Sequence, residues 1–270
     1  MERVGFIGLG VMGNPMVRHL IHAGYPVAIY DRDASRTRAV ADAGGIPQAD
    51  PRAVAADCEI LVLMVLDQSD VDAALFGERG AAQGLRPGSL VIVMSTIPAT
   101  AMQGISERLA HHEVALIDAP VSGGRDGAAA GTLAIMVGGE PTDVQRALPL
   151  LSHFGENVTH VGPLGSGQVA KAANQVIVAL TRAAVGEALL LAGVGGADPE
   201  IVRRALLGGA AQSTILENYG ARISAAEHPV EFSSAVISKD LKQVVDTART
   251  LGLSLPFTEL VAQCYRDAEA

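Results

Sequence analysis

The stretch that decides the fold lies near the start of the chain and reads Val4-Gly5-Phe6-Ile7-Gly8-Leu9-Gly10-Val11-Met12-Gly13. Its first four residues carry no charge and are typical of a buried strand, whereas apolar residues with helical spacing continue from Gly13 to Ala23. The three glycines between them follow a G-x-G-x-x-G spacing, which permits a tight turn and close approach of a ligand to the backbone. The stretch therefore predicts a strand, a turn and a helix whose N-terminus can hold a phosphate group.

A second strand and an acidic residue give this turn its context. Val27–Tyr30 is apolar, and Asp31 follows it, eighteen residues after Gly13. An acid at this distance accepts hydrogen bonds from the adenosine ribose of a dinucleotide and repels a 2′-phosphate, whereas an arginine there, such as Arg32, can pair with that phosphate. We therefore expect the chain to bind NAD, with NADP as the second choice. A tight turn that binds no ligand is the alternative.

The rest of the first half continues the alternation of strands and helices. Further strands are predicted at Ile60–Met64, Leu90–Met94, Val114–Ile117 and Leu133–Val137. Further helices are predicted at Ser35–Ala43, Ser69–Phe76, Ala101–Leu109 and Pro141–Leu151. Strands that alternate with helices of this length indicate a parallel, doubly wound sheet of the Rossmann type.

After Gly167 the pattern becomes entirely helical. Periodic apolar residues run from Val169 to about Ala192, and the later helices are predicted at Pro199–Leu207, Ala210–Asn218, Ser238–Leu251 and Pro256–Arg266. The expected architecture is α/β: a Rossmann doubly wound parallel sheet over residues 1–163, a long connecting helix over 164–192, and an all-helical C-terminal domain over 193–270.

Composition excludes several classes of partner. The chain is 49% hydrophobic and has a formal net charge of -9, which argues against nucleic acid because phosphate contacts require dense Lys and Arg. The longest apolar stretch, Val176 to Leu191, is interrupted by Arg182 and Glu187, so we expect a buried helix and no membrane span. The two cysteines are far apart, and no histidine grouping has metal-ligand spacing, so we expect a metal-free protein of the cytoplasm.

Four segments in order along the chain resemble one protein family. They are Gly5-Phe6-Ile7-Gly8-Leu9-Gly10-Val11-Met12-Gly13-Asn14-Pro15-Met16, Asp118-Ala119-Pro120-Val121-Ser122-Gly123-Gly124, Gly167-Gln168-Val169-Ala170-Lys171-Ala172-Ala173-Asn174, and Lys239-Asp240-Leu241. Together they resemble the β-hydroxyacid dehydrogenase family, which includes 3-hydroxyisobutyrate dehydrogenase, 2-hydroxy-3-oxopropionate (tartronate semialdehyde) reductase and L-threonate dehydrogenase. The resemblance implies an NAD(P)-dependent oxidoreductase that interconverts a small β-hydroxy acid and its semialdehyde or keto acid. It also implies a homodimer or homotetramer.

The segment Ser122-Gly123-Gly124 follows a predicted strand at the edge of the sheet where α/β proteins bind ligands. A hydroxyl group and two unhindered backbone amides can hold a carboxylate. An ordinary glycine-rich turn explains the same residues equally well. The resemblance assigns all three residues to the carboxylate of the substrate.

Lys171 lies within a strongly apolar helix, and Asn174 and Gln175 follow one turn later on the same face. A lysine that extends to the surface is the ordinary explanation of such a position. The resemblance implies instead that Lys171 is catalytic: it would take the hydroxyl proton in oxidation and return it in reduction. A desolvated site would lower its pKa from about 10.4 toward neutrality. The resemblance also implies that Asn174 and Gln175 bind the substrate.

The resemblance assigns further residues along the cofactor and the substrate. These are Leu9, Val11 and Met12 with the three glycines of the first turn, Val65 and Leu66 on the adenosine side, Thr96 beside the nicotinamide ribose, and Lys239 at the nicotinamide end. The ordinary explanations are a strand-end hydroxyl that bonds the local backbone for Thr96 and a surface charge pair with Asp240 for Lys239. Phe232 is a candidate for the wall of the substrate pocket, and an aromatic residue of the core is an equal alternative.

Two other functions remain open at this point. Imine reductases share the architecture but generally lack the lysine found here at position 171, and a dinucleotide-binding protein without catalysis would have no need of Lys171. The substrate is also open. The segment 167–180, with Gly208-Gly209 and Ser213-Thr214, resembles tartronate semialdehyde reductases, whereas 43–47 and 75–77 resemble threonate dehydrogenases.

Overall fold

The computed structural model describes residues 1–225 and 234–268, so the prediction for Phe232 lies outside the described residues. The chain divides into two compact units, Met1–Lys171 and Ala172–Ala270. The three predicted segments, 1–163, 164–192 and 193–270, stay a proposal about domain boundaries.

The first unit is built on a single sheet. Its strands are β1 (Val4–Ile7), β2 (Val27–Tyr30), β3 (Ile46–Pro47), β4 (Ile60–Leu63), β5 (Leu90–Val93), β6 (Ala115–Asp118), β7 (Val121–Ser122), β8 (Ala134–Gly138) and β9 (Asn157–Gly162). They follow the order β3-β2-β1-β4-β5-β6-β8-β7, and β9 pairs with β8. In the part of the sheet ordered β3-β2-β1-β4-β5-β6, each strand is parallel to its neighbours.

Helices join most of these strands. They are α1 (Gly13–His22), α2 (Ala34–Ala41), α3 (Pro51–Ala56), α4 (Gln68–Phe76), α5 (Ala99–Ala110), α6 (Gly124–Ala130) and α7 (Pro141–Leu151), and α8 (Ser166–Val194) begins in this unit.

The sheet has an apolar core on each face because its central strands are apolar at every position. In β1, Phe6 packs with α1, α6 and α7, whereas its neighbour Ile7 packs with α3, α4 and α5. Successive side chains of a strand point to opposite faces, so a strand buried on both faces has no polar position. Burial of each large aliphatic side chain contributes about 1.5–3 kcal/mol. The predicted doubly wound sheet is confirmed.

The sheet departs from parallel pairing beyond β6. β8 pairs antiparallel with both β6 and β7, whereas β9 pairs parallel with β8. β6 and β7 therefore run in the same direction, on either side of β8, with only Ala119 and Pro120 between them in the chain. The chain reverses direction after β7, across α6, and returns as β8 between them.

Within the described residues, the second unit is helical, as predicted. α8 continues to Val194 and is followed by α9 (Pro199–Leu207), a π-helical turn at Ile215–Tyr219, α10 (Gly220–Ser224), α11 (Ser234–Thr250) and α12 (Pro256–Asp267). The helix predicted at Ala210–Asn218 is wrong at its start, because residues 208–211 form turns and a bend and residues 212–213 have no regular structure. The apolar core consists of two small clusters, one around Ala179 and Leu241 and one around Leu189 and Leu216.

One helix among the described residues, α8, is long and apolar enough to cross a membrane by length and composition alone. In an 18-residue window of this helix the mean hydropathy is 1.8, and 17% of that window is buried inside the protein. The buried helix expected from Val176 to Leu191 is therefore wrong, because most of this stretch is not buried within the chain. A single helix of this kind is weak evidence for a membrane.

Candidate active site

The glycine turn between β1 and α1 has the geometry of a phosphate-binding loop. Gly8 has φ +97°, and a Cβ atom there would collide with the carbonyl oxygen of Met64. A Cβ atom at Gly13 would collide with the carbonyl oxygen of Gly8. The first and third glycines are therefore required by the fold itself.

Gly10 differs from its neighbours in the loop. A Cβ atom there would meet only the tip of Arg36, at 3.5 Å, which is an ordinary van der Waals distance. Nothing in the described protein therefore requires glycine at this position. Met12, at the N-cap of α1, forms no side-chain hydrogen bond to the first turn, so backbone amides at this helix end can serve an anion. These residues fit the pyrophosphate of a dinucleotide.

Asp31 fastens the loop to the end of β2. Its carboxylate accepts hydrogen bonds from the backbone N–H of Leu9 at 2.7 Å and of Asp33 at 2.8 Å, and it is buried. The N–H of Leu9 is therefore used in a hydrogen bond within the protein, and the side chain of Leu9 lies in the core. Each carboxylate oxygen can accept a further hydrogen bond, so Asp31 can still receive ribose hydroxyls.

Two arginines lie beside Asp31, and they have different partners. Arg32 forms an ion pair with Asp70 of α4 at 2.8 Å, and its side chain is 75% exposed. Arg36 lies 3.7 Å from Asp31 and 3.4 Å from Asp33. The arginine that borders both Asp31 and Gly10 is thus Arg36, which the sequence analysis did not single out.

The segments after β4 and β5 are joined to one another. The backbone N–H of Val65 donates to Oγ of Ser95 at 2.9 Å, while Leu66 is exposed. Thr96 lies next to Ser95, and the Val65 side chain lies against Gly8. The predicted cofactor residues Val65 and Thr96 are therefore brought to the same edge of the sheet as the glycine loop.

The Ser122-Gly123-Gly124 turn joins β7 to α6. Gly123 has φ +136° and Gly124 has φ +63°, a region that favours glycine. A Cβ atom at Gly123 would also lie 3.1 Å from the Leu133 side chain. A substitution at Gly123 would therefore strain the backbone, and Ser122 is the better residue for testing a carboxylate site.

Lys171 lies on α8 and is only 7% exposed. Three residues earlier, Gln168 is buried, and its side chain donates to the carbonyl oxygen of Ser95 at 2.8 Å and accepts from the N–H of Ile97 at 3.1 Å. The start of α8 is also held by Asp118 at the end of β6. Burial raises the pKa of Asp118 to about 6, an effect that backbone N–H groups of Gly165 and Gln168 oppose.

The second unit forms a chain of polar contacts. Nδ2 of Asn174 donates to Oε1 of Gln175 at 2.8 Å, and Nε2 of Gln175 donates to Oδ2 of Asp240 at 2.7 Å. Nζ of Lys239 lies 3.3 Å from Oδ1 of Asp240. The structure thus brings together three predicted residues, Asn174, Gln175 and Lys239, through the buried carboxylate of Asp240.

Sequence reasoning gave no role to Ser95, Gln168, Asp118 or Asp240, although the last three belong to the quoted motifs. Their partners lie far away in sequence, so no local pattern reveals them. Across residues 1–225 and the described part of the C-terminal region, no group of three or more His, Cys, Asp or Glu side chains could hold a metal ion.

Two protein families match the chain, one after the other. Residues 3–162 match the NAD binding domain of 6-phosphogluconate dehydrogenase, and residues 165–270 match the NAD-binding domain of NADP-dependent 3-hydroxyisobutyrate dehydrogenase. With the sheet and the glycine loop, these matches define an NAD(P)-dependent oxidoreductase.

Individual relatives extend over nearly the whole chain. The 2-hydroxy-3-oxopropionate reductase of Escherichia coli is 39% identical over 99% of this chain and 91% of its own length. The L-threonate dehydrogenase of Cupriavidus necator is 32% identical over 98% of this chain and 89% of its own length. The structure of 3-hydroxyisobutyrate dehydrogenase from Mycobacterium tuberculosis with L-serine superposes with a TM-score of 0.89 at 28% identity, covering 99% and 93% of the two chains.

The chain belongs to the β-hydroxyacid dehydrogenase family, which includes 3-hydroxyisobutyrate dehydrogenase and 2-hydroxy-3-oxopropionate reductase. It is an NAD(P)-dependent oxidoreductase that acts on small hydroxy acids. An imine reductase from Streptomyces aurantiacus shares the fold alone, with 20% identity and a TM-score of 0.68.

Proposed function

We propose that this enzyme reduces the aldehyde group of 2-hydroxy-3-oxopropionate to the primary alcohol of glycerate. In the reverse direction it oxidises glycerate to 2-hydroxy-3-oxopropionate. Two observations support this substrate. The reductase of that name is 39% identical over 99% of the chain, and segment 167–180, which carries Lys171, resembles such reductases. L-threonate is the second candidate, because a threonate dehydrogenase is 32% identical.

The observation that supports the catalytic role is the burial of the Lys171 side chain on the largely apolar helix α8. When bound, the nicotinamide supplies or accepts the hydride. Reduction of a carbonyl leaves an alkoxide that needs one proton, and the ammonium group of Lys171 donates it. In oxidation the neutral amine accepts the hydroxyl proton, as a general base.

The other residues hold and orient the substrate. Ser122, Gly123 and Gly124 bind its carboxylate through the hydroxyl group and backbone amides. Asn174 and Gln175, three and four residues after Lys171 on α8, donate or accept hydrogen bonds at the hydroxyl and carbonyl groups. Phe232 is proposed as a wall of the substrate pocket.

We propose NAD as the preferred cofactor. The carboxylate of Asp31 stands where the adenosine ribose is bound in this fold, and Arg32 is engaged by Asp70. Gly10, Val11 and Met12 line the pyrophosphate, and Leu9 supports this loop through its N–H bond to Asp31. Val65 and Leu66 lie on the adenosine side, Thr96 lies by the ribose of nicotinamide, and Lys239 lies at the nicotinamide end. Higher catalytic efficiency with NADPH than with NADH would contradict this preference.

The decisive experiment replaces Lys171 with alanine. Turnover should fall at least about a hundredfold, which is the low end for loss of a general acid or base, while the Kd for NADH stays nearly unchanged. Lys171→Arg should not restore turnover, because guanidinium stays protonated at neutral pH. Steady-state kinetics and NADH fluorescence on binding measure the two quantities.

The chain offers a matched control for this experiment. It contains three lysines, and Lys242 is 75% exposed and paired with Asp246 on its own helix. Lys242→Ala should keep wild-type turnover. Near-normal turnover in Lys171→Ala would remove this lysine from the mechanism. Loss of both NADH binding and turnover would mean that Lys171 is structural.

The substrate is tested with a panel of small acids. Initial rates with NADH and 2-hydroxy-3-oxopropionate should exceed those with other semialdehydes, and in oxidation glycerate should exceed L-threonate, 3-hydroxyisobutyrate and L-serine in kcat/KM. The highest kcat/KM with L-threonate would replace the first candidate with the second. Ser122→Ala should raise the KM for each acid, because the variant loses one hydrogen bond to the carboxylate.

We propose that the enzyme is a homodimer or homotetramer. The second unit exposes apolar side chains on α8 and α12, among them Leu190, Leu191, Val194, Phe257 and Leu260, each between 64% and 83% exposed. Leu190, Leu191 and Val194 lie within about one turn of α8, and Phe257 and Leu260 within one turn of α12, and exposed apolar side chains on one helix are typical of protein contact surfaces. Light scattering after gel filtration measures the mass, and a monomer at micromolar concentration would contradict the proposal.

The cytoplasm is the proposed location. Cys58 and Cys264 are both free thiols, as expected where disulfides are not formed. Burial raises the pKa of the Cys58 thiol to about 12, so it is protonated and unreactive at neutral pH.

A further inference from the structure

Asp118 is completely buried at the end of β6, and its carboxylate holds the first turn of α8. Oδ1 accepts a hydrogen bond from the backbone N–H of Gly165, and Oδ2 accepts one from the N–H of Gln168, each at 2.7 Å. A carboxylate is favoured at a helix N-terminus, where backbone N–H groups lack partners within the helix. Here both carboxylate oxygens accept a hydrogen bond, so the start of α8 is held at two points, Gly165 and Gln168.

The carboxylate sits in a space that two glycines create. A Cβ atom at Gly138 would collide with Oδ1 of Asp118, and a Cβ atom at Gly167 would lie 2.7 Å from Oδ2. A closely packed interior of this kind allows little displacement. The position of the first turn of α8 relative to β6 and β8 is therefore tightly defined.

Gln168 links this turn to the segment that follows β5. Its side chain is 3% exposed, donates to the carbonyl oxygen of Ser95 and accepts from the N–H of Ile97. It thereby holds the backbone on both sides of Thr96. Oγ of Ser95 in turn accepts from the N–H of Val65.

We propose that Asp118 and Gln168 are positioning residues, which fix Lys171 relative to the cofactor-binding segments at Val65 and Thr96. Lys171 lies three residues, or nearly one helical turn, after Gln168 on the same rigid helix. The inference rests on the proposed catalytic role of Lys171. Proton transfer needs donor and acceptor within hydrogen-bond reach, and a misplacement of about 1 Å can cost about a hundredfold in rate.

The test replaces Gln168 with methionine, which has a similar length and no hydrogen bonds to offer. We expect kcat to fall about tenfold to a hundredfold, with the Kd for NADH and the KM for the acid little changed. Gln168→Glu keeps the acceptor for the N–H of Ile97, but it can donate to the carbonyl oxygen of Ser95 only when its carboxyl group is protonated, so it should restore part of kcat at low pH and not at high pH. A loss confined to stability or to KM, with kcat unchanged, would overturn the proposal.

A double-mutant cycle shows whether the loss passes through Lys171. In the Lys171→Ala background, Gln168→Met should cause little further loss of kcat, because the group that it positions is already absent. An equal loss in both backgrounds would overturn the inference. If Lys171→Ala itself keeps normal turnover, the proposed function fails. If Lys171→Ala is inactive and Gln168→Met is normal, only this inference fails.

Asp118→Asn extends the test, with Asp198→Asn as its control. Asp198 caps α9 through a single oxygen, Oδ1, which accepts from the N–H groups of Glu200 and Ile201, so an asparagine can replace it. Asp118 uses both oxygens, so asparagine presents an amide nitrogen to a backbone N–H. We expect a lower kcat in Asp118→Asn and a wild-type kcat in Asp198→Asn. A soluble, folded Asp118→Asn with wild-type kcat would contradict the role of Asp118.

Discussion

The turn at Gly8–Gly13 and the turn at Ser122–Gly124 both join a strand to a helix, but they contain glycine for different reasons. In the second turn, Gly123 and Gly124 have positive φ, so the backbone itself requires them. In the first turn, Gly8 combines a positive φ with a close contact and Gly13 is required by a close contact alone, whereas Gly10 is required by nothing in the described protein. A glycine that the fold does not need is the one to assign to a ligand.

The largest effect in this comparison should come from Gly13→Ala. The added methyl group would collide with the carbonyl oxygen of Gly8, which is backbone and cannot move aside. We expect the free energy of unfolding to fall by about 3 kcal/mol or more. Urea denaturation followed by circular dichroism measures it. A variant as stable as the wild type would show that the first turn tolerates side chains, and the contrast with Gly10 would disappear.

A buried carboxyl group, Asp118 at the end of β6, lies four residues before the second turn and makes stability depend on pH. The pKa of Asp118 is raised from 3.8 in its ordinary environment to about 6 by burial. Between these values the folded chain holds a proton that the unfolded chain has released, so the contribution of Asp118 to stability falls as the pH rises from 3.8 to about 6. About two pH units at about 1.4 kcal/mol each amount to about 3 kcal/mol.

Asp118→Asn isolates this effect, because other titrating groups are common to both proteins. The free energy of unfolding of the wild type, relative to the variant, should decline by about 3 kcal/mol as the pH rises through that window. Urea denaturation at several pH values measures the difference. Parallel pH profiles for the two proteins would exclude a raised pKa at Asp118.

Gly10→Ala should weaken dinucleotide binding without destabilising the fold. The methyl group stands where the backbone must approach the pyrophosphate, so we expect the Kd for NADH to rise at least about tenfold, while the free energy of unfolding changes by less than about 0.5 kcal/mol. Gly104→Ala is the matched control: nothing lies within 4 Å of its Cβ position on α5, and binding should be unchanged. Normal affinity in Gly10→Ala would leave the first turn without an assigned ligand glycine.

The smallest effect concerns Arg32, the arginine next to Asp31 in sequence. Asp70→Ala removes the partner of Arg32 and a negative charge, so the ratio of kcat/KM for NADPH to that for NADH should rise about two- to fivefold, the range of an exposed ion pair. Asp72→Ala is the control, since Asp72 lies on the same helix but pairs with Arg108. Equal changes in both variants would mean that Arg32 does not read the cofactor.

Sequence alone predicted the parts of the fold that have strong periodic or continuous apolar patterns. β1 and β2 lie at the predicted residues, and β4 and β5 end one residue before the predicted end. These strands could be predicted because a fully buried strand has no polar position. β3 has only two residues, both exposed, and β9 (Asn157–Gly162) is mostly exposed, so neither has an apolar signal. Each becomes a strand only by pairing with a neighbour, β3 with β2 and β9 with β8, which a local sequence pattern does not show.

The candidate site could likewise be predicted only in part from the sequence. The residues named from the sequence belong to motifs, and each motif is local. The hydrogen bonds of Asp118 and Gln168 join residues 47 to 73 positions apart, and that of Gln175 reaches Asp240, 65 positions away. Such contacts depend on how strands and helices are arranged, so only coordinates reveal them. Asp50 before Pro51 was a readable helix start that the sequence analysis passed over.

The continuity of α8 limits how the length of this chain can vary. Lys171 follows Gln168, which is bonded to the segment after β5, and Gln175 is bonded to Asp240 of α11. One residue inserted between Lys171 and Gln175 would rotate the second by about 100° around the helix axis relative to the first. Substitutions on the exposed side of this segment leave that phase unchanged. Relatives that keep the activity should therefore align from position 168 to 175 without gaps, even where the loops on either side differ in length.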